Sequence, residues 1–149
     1  PANTTAYTAN DVVNHLAGSM LSIEAARKPG GSFILGGVTL ITDQGGGAQT
    51  WQPRVWLWQR PRSTILADNA VFTGSYAIQS QSGYLANVLL PALTSPAGST
   101  IDESKIEDMA RVFACAPGST DIYLDLQTLT AFTPSSGALY SLRFYLTQL

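Results

Sequence analysis

Few residues in this 149-residue chain could do chemistry. His15 is the single histidine, which excludes a relay between two imidazoles and a histidine-rich metal site. A Ser-His-Asp arrangement would have to recruit His15, and no G-x-S-x-G elbow accompanies it. Cys115 is also alone, so an internal disulfide and a cysteine-cluster zinc site are excluded; its apolar setting, Val112 to Ala116, predicts a buried, inert thiol. Asp102, Glu103, Glu107 and Asp108 crowd together, but their spacing matches no calcium loop and no glycine stands where its turn would need one. That segment reads as a solvated loop or short exposed helix. Gly45-Gly46-Gly47 is followed by neither Lys-Ser/Thr nor a helix start, so it is no phosphate cradle. A carboxylate pair could still form in space, but nothing selects one. The chain is expected to use no catalytic residue, no cofactor and no metal, and not to be an enzyme.

The informative residues are aromatic and cationic. Trp51, Trp56 and Trp58 fall within eight positions, and Arg54, Arg60 and Arg62 flank them. Side chains alternate along a strand, so Trp56 and Trp58 share one face and Val55 and Leu57 the other. Two readings are open. Either the strand is covered on both faces and all four side chains are core, or the tryptophans form an exposed patch for a protein contact or for stacking on sugars. Arg beside Trp is the pairing enriched at interface hot spots, while Gln52 and Gln59 could serve a carbohydrate.

These residues must be positioned by β-structure. Short alternating runs occur over 20–25, 32–43, 50–59, 83–90, 109–116, 121–132 and 138–148, separated by Gly, Pro and Ser turns. Seven or eight strands without a long helical period point to an antiparallel sandwich or barrel. Gly36-Gly37 marks a bulge within its strand. Residues 43–47 read as a loose hairpin into the tryptophan strand. Asp68 is placed to cap a helical turn at 67–70, and 74–82 reads as a second such turn. Residues 1–12 are polar and aperiodic, an extended arm anchored by Tyr7; residues 13–149 form one domain.

Composition narrows the partners. Charged residues are only 12% of the chain, with 14 Ser and 15 Thr, so hydroxyls, amides and glycine build the surface. A net charge of −2 argues against non-specific nucleic-acid binding, which needs a basic patch. No run of about 18 apolar residues spans a membrane. The start at Pro1 carries no signal-peptide pattern and fits removal of an initiator Met, so synthesis in a reducing cytoplasm is expected.

The segment VWLWQRPRSTILADNAVF, with Gly31-Ser32-Phe33-Ile34-Leu35, Val38 to Asp43, and Leu142-Arg143-Phe144-Tyr145-Leu146, resembles a pattern in small proteins of tailed bacteriophages. These are capsid decoration, or cement, proteins. The resemblance spans most of the chain, and Ala67 to Phe72 is its most specific part. It implies a jelly-roll-like β-sandwich that binds the outside of the major capsid protein shell as a dimer or trimer and reinforces it. It also implies location on the virion. Trp56, Trp58 and the charged segment 102–108 depart from the pattern. On this reading the arm orders on a neighbour, and Tyr7, Arg54, Trp56, Trp58, Arg60 and Arg62 make the contact. A carbohydrate-binding module and a phage tail or neck component are the alternatives.

Overall fold

A computed structural model describes residues 5–13, 19–43, 50–73, 82–95, 99–135 and 137–149. Eight strands follow in order: β1 (Leu21–Glu24), β2 (Ser32–Asp43), β3 (Pro53–Trp58), β4 (Tyr84–Leu89), β5 (Ile101–Ile106), β6 (Arg111–Ala114), β7 (Asp121–Thr128) and β8 (Leu139–Gln148). They form two antiparallel sheets packed as a β-sandwich. The first has the order β1-β7-β3-β4. The second is built on β2, which pairs with β8 along one edge and with β5 and β6 along the other. The chain changes sheet at every connection except β3–β4 and β5–β6.

Alternation explains the core. Phe33, Leu35, Val38 and Leu40 of β2 face Val55 and Leu57 of β3 and Ile122, Leu124 and Leu126 of β7, all buried. Burying apolar surface at roughly 25 cal/mol per Å² is what holds the two layers together. The step from Leu35 to Val38 keeps both inside, because the β2–β8 register shifts between Leu35 and Gly37. A Cβ on Gly37 would stand 2.7 Å from the Ile106 carbonyl oxygen, so the bulge needs glycine there. Beside it the chain jogs from β5 to β6, with Met109 N–H donating to the Gly36 carbonyl at 3.0 Å. The jog puts Asp108 and Ala110 at φ of 59° and 45°.

Four expectations are corrected. Segment 101–106 is neither loop nor helix but β5, with Asp102 and Ser104 pointing inward; the Ser104 hydroxyl donates to the Pro91 carbonyl at 2.6 Å. The expected hairpin from β2 into β3 is not formed, since the two strands lie in different sheets. Residues 67–70 make a tight turn closed by Ala70 N–H to the Ala67 carbonyl, with Asn69 at φ 62°, and the Asp68 carboxylate accepts the Tyr7 hydroxyl at 2.7 Å. Residues 5–13 are no free arm. They lie along β7 and the 69–72 segment, with Val12 fully buried and Tyr7 only 1% exposed. The glycine loop at 45–47, all but Ser82 of the second helical turn at 74–82, and His15 lie outside the described residues.

Candidate functional site

The tryptophan strand is covered on both sides. Val55 and Leu57 enter the core, while Trp56 and Trp58 face outward beneath the segment 60–73. The Pro61 break after β3 is what turns that segment back across the sheet. Trp56 stacks on Phe72 at 4.7 Å between centroids and on Trp58 at 6.1 Å. Tyr84 meets Trp58 edge-on at 5.7 Å. Such offset and edge contacts suit the ring quadrupoles.

Arg62 closes the layer. Its guanidinium carbon lies 5.1 Å from the Phe72 ring centroid and 5.6 Å from that of Trp58. Nη1 donates to Asp125 Oδ2 at 3.2 Å and Nη2 to the Thr73 carbonyl at 2.8 Å. Trp58 Nε1 donates to the same Asp125 oxygen at 3.0 Å, and Trp56 Nε1 to Gln127 Oε1 at 2.9 Å. Burial pushes the Asp125 carboxyl above the usual carboxylate range, against the pull of Arg62 and the Trp58 N–H. This constellation fastens a loop to a sheet. It offers no indole face to a sugar.

The docked N-terminal segment adds a second stack. Tyr7 lies parallel to Phe132 at 4.8 Å, and Phe132 to Trp51 at 4.4 Å. Cys115 is buried, its Sγ donating to the Thr120 carbonyl at 3.2 Å, and burial raises its pKa, as an inert thiol should behave. No cluster of His, Cys, Asp or Glu among the described residues could hold a metal ion.

Of the six residues singled out for a contact, Tyr7, Trp56, Trp58 and Arg62 are buried at 9% exposure or less. The structure brings Trp56, Trp58 and Arg62 together, with the Arg54 guanidinium carbon 5.7 Å from the Trp56 centroid. Tyr7 belongs to the other stack, and Arg60 stands exposed outside both.

Exposed large hydrophobics occur on both layers: Val71, Leu89 and Tyr84 on the first sheet and its cover, and a larger set on the second sheet. Cross-strand partners share a face, so with Leu40, Leu142 and Ser104 pointing in, the outer face runs from Leu139–Asp43–Ile101 through Ser141–Ile41–Glu103 and Arg143–Thr39–Lys105 to Thr147–Ile34–Val112. Leu139 is 70% exposed and Val112 64%, with Tyr145, Ile101 and Leu149 also open. Sequence reasoning passed over these positions; its one signal was Tyr145 alternating with Ser141 and Arg143 on the polar side of the last strand. At the rim between the sheets, an apolar cleft of about 670 Å³ separates β1 from β8, lined by Leu21, Ile23, Leu124, Leu126, Leu142 and Phe144. No family model, no curated protein and no solved structure matches the chain.

Proposed function

We propose that this β-sandwich is a capsid decoration protein that binds the outer surface of a tailed-phage major capsid protein shell and stabilises it. The observation that carries the reading is the asymmetry between the two outer sheet faces. Segment 60–73 covers the indole layer of the first sheet, whereas the second sheet leaves Val112, Leu139, Ile101 and Tyr145 exposed around a centre that carries Arg143, Lys105 and Glu103. Exposed apolar and aromatic side chains interleaved with a few charges on a small rigid block suit a protein contact. The sequence resemblance at Ala67 to Phe72 supplies the class of partner. The contact residues move accordingly, away from the buried tryptophans, Arg62 and Tyr7 and onto the second sheet.

Reinforcement needs no catalytic group. Many copies bridging seams of a lattice multiply a modest affinity per site. The test is co-sedimentation with bare mature capsids of the encoding phage, counting copies per shell. Saturation in fixed ratio to the coat protein, reduced at least tenfold in affinity by Val112→Lys, is the expected result. Absence of binding to shells sinks the reading, and a six-membered ring in solution would move it to a tail or neck component.

A further inference from the structure

β8 is the longest strand with a partner on one side only. It pairs with β2, and among the described residues no strand runs along its other edge from Leu142 to Gln148. Leu149 N–H donates to the Ser32 carbonyl at 3.0 Å, so odd-numbered residues of β8 direct their backbone groups to β2. The N–H and C=O of Leu142, Phe144, Leu146 and Gln148 then point to the outer edge. Natural sheets guard such an edge with proline, a bulge or several charges. β8 has no proline and one charge, Arg143.

We infer that two copies of this chain associate by antiparallel pairing of β8 with β8 about a two-fold axis at Phe144. Side-chain pairing favours this register over its neighbours on the N-terminal side. Centring on Arg143 would set two guanidinium groups opposite each other, and centring on Leu142 would leave the strand end unpaired. Centring on Phe144 puts Arg143 across from Tyr145 of the second copy, Ser141 across from Thr147, and Leu142 across from Leu146. Exposed Leu139 meets exposed Leu149. Apart from Tyr140 across from Gln148, these pairs join like with like or a cation with an aromatic ring, and opposed side chains are the unit of sheet stabilisation. Hydrogen bonds form at Leu142, Phe144 and Leu146, whose backbone groups already point outward. The half-buried Leu142 and Phe144 at the mouth of the cleft gain a wall from the second copy.

The inference is independent of what the protein binds, and sedimentation equilibrium of the purified chain tests it. Wild type is expected to be a dimer. Tyr145→Lys sets like charges opposite Arg143 at two symmetric places and should weaken the dimer roughly tenfold. Arg143→Glu with Tyr145→Lys should restore it. Both side chains are exposed, so the circular dichroism spectrum should keep its wild-type shape. In addition, Ser141→Cys with Thr147→Cys should oxidise to a covalent dimer, with buried Cys115 uninvolved. A wild-type monomer at high micromolar concentration, a dimer indifferent to Tyr145→Lys, or failure of the cysteine pair to cross-link overturns the pairing.

Discussion

Arg62 and Asp125 form an ion pair closed off from solvent, Nη1 to Oδ2 at 3.2 Å with both side chains at 2% exposure or less. The pair joins the segment after β3 to β7, sixty-three positions further along the chain. Removing one partner strands a buried charge, so Arg62→Ala or Asp125→Ala should each cost about 3–5 kcal/mol. Arg62→Met with Asp125→Leu removes both charges and should cost clearly less than the two single losses added. A double-mutant cycle by urea unfolding measures this, and single variants within about 1 kcal/mol of wild type would count against a structural role for the pair.

Tyr7 links the N-terminal segment to alkaline stability. Burial, then the hydrogen bond to Asp68, hold its phenol well above the ordinary value of 10.0. The native state therefore keeps its proton where the unfolded chain has lost it. That contribution is complete below pH 10.0 and is lost as pH rises towards the native value. Urea midpoints of wild type should fall between pH 9 and 11 more steeply than those of Tyr7→Phe. Equal slopes would show that the hydroxyl is not held as described.

Tyr7 also shows where sequence patterns stop being informative. β7 was legible because Ile122, Leu124 and Leu126 alternate with polar neighbours, and β8 because Leu142, Phe144 and Leu146 do the same. β5 was not, because its inward positions carry Asp102 and Ser104, and the hydrogen bond from Ser104 to Pro91 cannot be read from spacing. The docking of 5–13 uses single bridges, Tyr7 to Phe132 and Val12 to Gln127, with no periodicity to betray them. Trp56 and Trp58 left two readings open for a related reason. Their cover is residues 60–73, a segment with no regular element, and only three dimensions show that Arg62 and Phe72 reach back over the indoles. Asp68 matched a helix cap locally, and the distant Tyr7 hydroxyl claimed its carboxylate.

The glycine bulge and the strained jog beside it give opposite expectations. Gly37→Ala drives a Cβ against backbone at Ile106 and should destabilise by about 1–3 kcal/mol. Ala110 holds φ at 45°, a region costly for a residue with a Cβ. Ala110→Gly relieves that and should raise stability by about 0.5–1 kcal/mol. Thermal midpoints moving in the same direction for both variants would contradict this backbone geometry.

The tryptophans supply a test that needs no variant. Trp51 and Trp58 are at most 1% exposed and Trp56 is 9% exposed, and Trp56 and Trp58 donate to Gln127 and Asp125 beneath segment 60–73. A quencher in water should therefore reach native tryptophan poorly and unfolded tryptophan well. Soluble glycans should leave the emission unmoved, because stacking a sugar on Trp56 would require lifting Phe72 from its ring and Arg62 from Phe72. Opening that layer would break the buried ion pair as well, a cost of several kcal/mol that a weak glycan contact cannot offset. Acrylamide quenching with and without a glycan panel decides the point. A glycan-dependent emission shift would mean that the layer opens in solution and would return Trp56 and Trp58 to the binding surface.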